Sequence, residues 1–252
     1  MTRFYPAFLH LEGRPCIVIG SGPVAEQKVV GLLHAGARVT VISPDPPRRL
    51  QDLASGGVIQ IRRRAFEPGD LDGAFLAIVH SDDPEVRDRA WREAERRRVL
   101  INAVDDMPHC AFIAPAVYEQ GDLTVAVSTA GKSPALAVRV RDRLADLLGP
   151  EYGALLDLVG DLRTEVTRRV PDASIRTALW YNIVDSDAVC ESVRRGDLTA
   201  ARTLIARLVS EAEQHAGAST HRGAPPAGGL PSSAGDAPER VSRPGTPGEA
   251  KP

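Results

Sequence analysis

The stretch that most narrows the fold is PCIVIGSGPVAEQKVVGLLH, residues 15–34. A short apolar run, 15–19, stops at Gly20. A helical pattern occupies 24–34, with Val24, Val29, Leu32 and Leu33 apolar, Lys28 outward and Gly36 placed as a C-terminal cap residue. Between strand and helix lies Gly20-Ser21-Gly22-Pro23-Val24-Ala25, of the form G-x-G-x-x-A. Glycines there permit a tight turn and let a pyrophosphate approach the backbone, while the helix N-terminus offers unpaired N–H groups and partial positive charge. The context predicts dinucleotide binding by Gly20, Ser21, Gly22, Pro23 and Val24. A ligand-free glycine turn has the same local pattern, so other segments must support the reading.

They do so by alternation. Strand-like runs recur at 38–42 (RVTVI), 58–61, 75–79 (FLAIV) and 100–104 (LINAV), with a charged helix at 84–97. Near-continuous apolar strands with intervening helices predict an α/β fold, a Rossmann-like doubly wound parallel sheet covered on both faces. An acidic residue about 20 positions past the glycines usually holds the cofactor ribose. The second strand ends Ile42-Ser43-Pro44-Asp45, so Asp45 is the candidate, with Ser43 and Pro44 beside it and Ser81, past the fourth strand, also in the cofactor set. The expected cofactor is NAD. Arg48 and Arg49 could instead serve a 2′-phosphate and keep NADP open.

After Asp105 the texture changes. Residues 111–115 and 123–128 read as strands. Ser133 and Pro134 suit the cap and first position of a helix in which Leu136, Val140, Leu144 and Leu147 recur, ending before Gly149-Pro150. Beyond 151 the pattern is helical, with Leu155, Leu158, Leu162 and Val166 on one face and further helices at 186–195 and 198–211. Residues 217–252 are rich in proline and glycine and poor in large apolar side chains, the composition of a disordered tail. The expected division is 1–112 (nucleotide-binding domain), 113–148 (a small dimerisation and active-site module), 149–216 (helical domain) and 217–252 (tail).

AVSTAGKS, residues 126–133, nearly matches the phosphate loop of nucleotide triphosphatases. It begins with Ala126 rather than glycine, follows five strands, and precedes no strand ending in an Mg²⁺-binding aspartate. From the residues alone it reads as an ordinary capped, solvent-washed helix start, which can also grip anions, with Arg139 and Arg143 on one helix face and Arg141 between them. Ser128, Thr129 and Ser133 have no His–acid pair and read as capping or substrate-lining hydroxyls.

The 31 basic and 33 acidic residues and an aromatic content of 4% offer no basis for nucleic-acid or membrane binding. Cys16, Cys110 and Cys190 are far apart, which argues against a disulfide framework or zinc site. His109 and Cys110, adjacent on an extended chain, would point apart and are not expected to share a metal. MTRFYPAFLHLEGRP lacks a signal-peptide apolar run, so a soluble, cytoplasmic protein is expected.

FYPAFLHLEGRPCIVIGSGPVAEQKVVGLLHAGARVTVISP, LINAVDDMPHCAFIAPA and GDLTVAVSTAGKSPALAVRVR, spanning roughly residues 4–148, resemble the precorrin-2 dehydrogenase / sirohydrochlorin ferrochelatase family, the N-terminal module of siroheme synthases. The resemblance implies a polycarboxylate tetrapyrrole substrate, precorrin-2. It implies hydride transfer to NAD⁺ with loss of a proton to give sirohydrochlorin and, in some members, insertion of Fe²⁺ as a second substrate. It implies that Asp105, in Asn102-Ala103-Val104-Asp105, is the key acid, a general base just past the fifth strand. Asn102, Ser128, Thr129, Gly131, Lys132, Ser133 and Arg139 then line the substrate, no resident metal is expected, and the chain is a homodimer built through 111–148. Ser21 departs from the glycine many relatives carry, and no methyltransferase domain follows, so a stand-alone enzyme is expected. From the dinucleotide features alone, an NAD(H)-sensing regulatory module remains the competing reading.

Overall fold

The computed structural model describes residues 4–220, with side chains as far as residue 216. The N-terminal half consists of β1 (Pro15–Gly20), α1 (Gly22–His34), β2 (Arg38–Ile42), α2 (Arg48–Ser55), β3 (Gln60–Arg62), β4 (Leu76–His80), α3 (Pro84–Arg97) and β5 (Leu100–Ala103). The strands form one parallel sheet in the order β3-β2-β1-β4-β5. Strand order therefore reverses between β1 and β4, the place where doubly wound sheets open a crevice at their carboxyl ends.

Period-two alternation feeds two core layers from the same strands. Cys16 and Val18 of β1 pack in one layer with Ala25, Val29 and Leu32 of α1. Ile17 and Ile19 face the other way, into a layer holding Ala90 and Ala94 of α3. That two-sided burial is why the central strands β1 and β4 are near-continuous apolar runs. Cys16 is fully enclosed, and burial pushes its thiol up to about 11.

Two differences from expectation concern this sheet. The third strand is 60–62 rather than 58–61, because Val58 is 51% exposed and precedes the ladder. Arg48 and Arg49 begin α2, a helix the apolar pattern did not announce; only its Leu50 is buried.

The β3–β4 connection has no helix. It is held by two buried carboxylates. Asp70 accepts from Arg62 Nη1 at 2.7 Å, Arg64 Nη2 at 2.6 Å and the Glu67 N–H at 2.8 Å. Burial alone would push Asp70 up, but Arg64, the Glu67 N–H and Arg62 outweigh it and hold its carboxyl at about 2. Glu93 of α3, 1% exposed, accepts from the Gly69 and Leu71 N–H groups and from Arg97 Nε at 2.9 Å. Each buried carboxylate is thus fully engaged, as burial requires.

Beyond a 3₁₀ turn (Met107–His109) comes the antiparallel hairpin β6 (Ala116–Gln120) and β7 (Leu123–Val127). Gly121 takes φ +58° at the first position of its two-residue turn, where a side chain is disfavoured. The strand expected at 111–115 is not there. The Ala111 and Phe112 N–H groups both donate to the Ile101 carbonyl, which ties this stretch to β5 and delays the hairpin to Ala116.

Five helices follow: α4 (Pro134–Leu147), α5 (Pro150–Arg169), α6 (Ala173–Val184), α7 (Asp187–Arg194) and α8 (Leu198–Thr220). Ser133 caps α4 as expected, its hydroxyl accepting from the Leu136 N–H at 3.2 Å. Yet α4 buries only Ala137, and Leu136 and Leu147 stand exposed. Leu158, Val166, Leu179, Ile183, Val189, Val193, Ile205 and Val209 form a third core from α5 to α8, with Leu155 and Leu162 packed against it. Asp172 and Ser186 cap α6 and α7. The last helix continues through Thr220 rather than stopping at 211, so the expected tail loses its first four residues to helix; 221–252 lie outside the described residues.

Candidate active site and cofactor cleft

Both glycines of the β1–α1 turn have positive φ, but for different neighbours. Gly20 has φ +122° and pairs with His80 in the ladder; a Cβ there would lie 1.8 Å from the His80 carbonyl oxygen. The close approach of β1 and β4 demands this glycine. Gly22 has φ +87° and nothing within 4 Å of a Cβ position, so its face is open to an incoming group. Ser21 is the extended N-cap of α1 but makes no side-chain cap bond, and no acid occupies the first turn. The leading N–H groups of α1 therefore lack side-chain acceptors, the condition an anion such as a pyrophosphate exploits. Pro23 falls in the first turn, where its missing N–H costs nothing, and Val24 is half-buried behind it. His80 Nδ1 lies 3.2 Å from the Ser21 carbonyl and donates to it in the matching tautomer.

The expected ribose segment is split by burial. Pro44 and Asp45 are exposed beside β2, but Ser43 is fully buried and its hydroxyl has no hydrogen-bond partner. Ser43 thus does not present itself to a ligand on the surface. Asp45 and Arg49 make no hydrogen bond or ion pair, and Arg48 reaches Asp52 only at 3.9 Å.

A cleft of about 440 Å³ at the carboxyl ends of β4 and β5 is lined by His80, Ser81, Asp82, Arg87, Val104, Asp105 and Asp106. A larger hollow of about 550 Å³ lies between α2 and the β3 edge, lined by Gln51, Arg62 and Arg63 among others, and it contains no acid. The smaller cleft joins the switch point to the predicted catalytic segment and is the one with chemistry. Asp105 sits there at φ +60°, a strained conformation for a non-glycine residue, with its carboxylate exposed and without hydrogen bond or ion pair.

The neighbouring aspartate has the opposite surroundings. Asp106 Oδ2 accepts from Arg87 Nε at 3.0 Å and faces His109 Nδ1 at 2.9 Å. Burial is the largest influence on Asp106 and acts upward, but His109 and Arg87 outweigh it and hold the carboxyl below its usual range. Arg87 also donates through Nη1 to the Ser81 carbonyl at 2.5 Å. Cys110 Sγ donates to the Ala103 and Asp106 carbonyls, and burial pushes its thiol up. Asn102, expected against substrate, is 8% exposed, and its amide donates to the Phe112 carbonyl at 3.0 Å. It braces the loop behind Asp105 instead of facing the cleft.

The Ser128–Ser133 turn folds against this segment. Ala130 and Gly131 have φ +51° and +77°, and a Cβ on Gly131 would meet Met107 Sδ at 2.9 Å. Thr129 Oγ1 donates to the Ser133 carbonyl and accepts from its N–H, and Ser128 Oγ accepts from the Ala130 N–H. These hydroxyls shape the turn. Lys132, Arg139 and Arg143 are exposed and make no ion pair, whereas Arg141 is held by Asp142. Sequence reasoning does not single out Arg87. Arg87 is one of several arginines in a charged helix, and no local pattern separates it from the others. Among the described residues no group of three or more His, Cys, Asp or Glu is placed to hold a metal ion, and no helix is long and apolar enough to cross a membrane.

Three family matches run along the chain in order. A family described as putative NAD(P)-binding matches residues 7–116, sirohaem biosynthesis protein central matches 120–147, and sirohaem synthase dimerisation region matches 151–209. The last attaches the description of dimerisation to the helical segment, beyond the expected 111–148. Siroheme synthase 1 of Aeromonas hydrophila subsp. hydrophila is 35% identical over 223 residues, covering 88% of this chain and 48% of that protein. Siroheme synthase of Methylobacillus flagellatus is 37% identical over 205 residues, covering 81% of this chain and 44% of that protein. The chain thus spans about half the length of the curated relatives it matches. A solved structure, SirC, precorrin-2 dehydrogenase, superposes with a TM-score of 0.68 at 22% identity, covering 82% of this chain and all of that one, and shows the same fold. With a putative NAD(P)-binding segment followed in order by the sirohaem central and sirohaem synthase dimerisation segments, the chain is similar along most of its length to the siroheme synthases.

Proposed function

We propose that this chain oxidises precorrin-2 to sirohydrochlorin with NAD⁺, with Asp105 as the general base. One observation carries the reading: an unpartnered carboxylate held at φ +60° in the cleft beside an uncapped helix N-terminus. Of the described non-glycine residues at positive φ, Arg98, Asp105 and Ala130, Asp105 is the acid that lines the cleft.

The open face of Gly22 and the free N–H groups of α1 fit a pyrophosphate. Bound NAD⁺ supplies the hydride acceptor. Asp105 accepts the proton that leaves the macrocycle, so loss of one hydride and one proton completes the two-electron oxidation. Lys132, Arg139 and Arg143 have no internal counter-ions and suit the substrate's carboxylates at the rim. Ser128, Thr129 and Ser133 hold the turn that presents Lys132. Asp45 is the ribose partner within this reading, and Ser81 flanks the nicotinamide side.

Fe²⁺ insertion is a second activity within the same reading, with iron as substrate. The assembly is a homodimer, supported by large apolar side chains left exposed on α4, α5 and α6: Leu136, Leu147, Tyr152, Leu156 and Tyr181. Three free cysteines suit the reducing cytoplasm. The test is pure protein with precorrin-2 and NAD⁺ or NADP⁺, with and without Fe²⁺, followed by absorbance. NAD⁺-dependent sirohydrochlorin formation is the expected result. No oxidation with either cofactor removes the reading, and a clear preference for NADP⁺ transfers weight to Arg48 and Arg49.

A further inference from the structure

Two loops meet in the cleft. One follows β4 and contains Ser81; the other follows β5 and contains Asp105 and Asp106. They come from different strands, and nothing in the sheet ladder fixes the tip of one against the tip of the other. A single guanidinium spans them. Arg87 Nη1 donates to the Ser81 carbonyl at 2.5 Å, and its Nε donates to Asp106 Oδ2 at 3.0 Å. The same Asp106 oxygen is approached by His109 Nδ1 at 2.9 Å, and the His109 ring meets Trp91 edge-on with centroids 5.8 Å apart. Arg87 and Trp91 lie one helical turn apart on α3 and so present to the same side. The side chain of Asp106 is only 20% exposed and that of Arg87 23%, which makes the pair less screened than a surface bridge.

We propose that Arg87 is a positioning residue that locks the cofactor-side Ser81 loop to Asp106, and through the adjoining backbone keeps Asp105 in its left-handed conformation. A left-handed aspartate relaxes to the ordinary regions unless its neighbours hold it. Asp106 is the nearest such anchor, gripped from α3 by Arg87 and from the 3₁₀ turn by His109. Because the other end of the guanidinium holds the Ser81 carbonyl, movement of that loop on cofactor binding is transmitted to the aspartate pair. The planar fork matters: Nε and Nη1 reach two acceptors at once, which a lysine ammonium on a flexible stem does not reproduce.

The rate readout of the test rests on the dehydrogenase reading; its fluorescence readout does not. The chain has two tryptophans, so Trp180→Phe leaves Trp91 as the reporter beside His109. In that background NAD⁺ titration is expected to change Trp91 emission. Arg87→Gln should abolish that change while NAD⁺ still binds by calorimetry. With precorrin-2, kcat should fall on the order of ten- to a hundred-fold, the scale of an ångström-sized misplacement, with the KM for precorrin-2 little altered. Arg87→Lys keeps the charge and should show the same loss; it also serves if the glutamine variant folds poorly. Wild-type kcat and an intact Trp91 response in Arg87→Lys, or in a folded Arg87→Gln, overturn the proposal. The two readings fail separately: undiminished oxidation by Asp105→Asn removes the base assignment without touching the Trp91 signal.

Discussion

The sheet region and the segment from α4 onward handle apolar surface in opposite ways. The sheet encloses its strands on both faces, and Val18, Val41, Val79 and Ile101 are all fully buried within one chain. The later region builds a core from α5 to α8 but leaves Leu136, Leu147, Tyr152 and Tyr181 exposed. A sheet covered by its own helices is complete as one copy. A helix such as α4, which buries only Ala137, has most of its apolar stripe still to cover. Burial completed within one copy thus marks the first region, and apolar surface left to be covered marks the second.

The sharpest way to break the first half is at the β1–β4 approach. Gly20→Val places a side chain where the His80 carbonyl already lies, at φ +122°. The expected outcome is loss of folded protein, a cost of more than about 4 kcal/mol, read by circular dichroism and chemical denaturation. Gly22→Ala meets no atom and should fold with a strain cost of only about 1–2 kcal/mol; its main defect should appear in NAD⁺ titration. Equal destabilisation by the two changes would show that turn geometry, not strand approach, selects both glycines.

Next in size is Asp105→Asn, which keeps shape and removes the base. Turnover should fall on the order of a hundred-fold or more with NAD⁺ affinity unchanged. Asp106→Asn should act through its partners, Arg87 and His109, and lower thermal stability as well as rate.

The second half is tested by Leu136→Glu combined with Leu147→Glu. Sedimentation equilibrium should shift from dimer to monomer while the far-ultraviolet spectrum is retained, because neither side chain belongs to a protomer core. An unshifted dimer would place the contact elsewhere on α5–α8.

A smaller effect is expected at low pH. Asp70, depressed to about 2, has a folded-state value below its unfolded one. Its stabilisation is present above the unfolded value, near pH 4, and is lost as pH falls through about 2. Asp70→Asn should cost about 1–3 kcal/mol near neutrality by leaving Arg62 and Arg64 without their carboxylate, and should flatten the acid limb of the stability curve between pH about 4 and 2. The smallest effect belongs to the C-terminus: a chain ending at Thr220 should turn over like the full chain, since the removed residues are rich in proline and glycine and poor in large apolar side chains.

The parts legible beforehand share one property, short range along the chain. The strand–glycine–helix turn, the Ser133 cap with Pro134, and the buried pattern of β1, β2, β4 and β5 each follow from residues within a few positions of one another. Hence the sheet and the position of Asp105 past β5 were available from the residues and their resemblance. The strand at 116–120 was misplaced because its delay depends on hydrogen bonds to the Ile101 carbonyl. The burial of Asn102 and Ser43 is not legible in the sequence, because neither pattern nor motif records which way a polar side chain at a strand end turns.

By itself, the sequence determined the alternation of strands and helices, the glycine turn, the helix caps and the anion-friendly stretch after β7, all encoded in local backbone preference and apolar period. Only the tertiary structure decided that Gly20 answers to His80, that Asp106 is claimed by Arg87 and His109 while Asp105 is left free, that Asp70 and Glu93 staple the β3–β4 connection, and that the stripe of α4 stays uncovered. The Gly20–His80, Arg87–Asp106 and Glu93–Gly69 contacts join groups far apart in the chain, and a hydrogen bond or a steric contact acts across space with no trace in the spacing of the residues that make it.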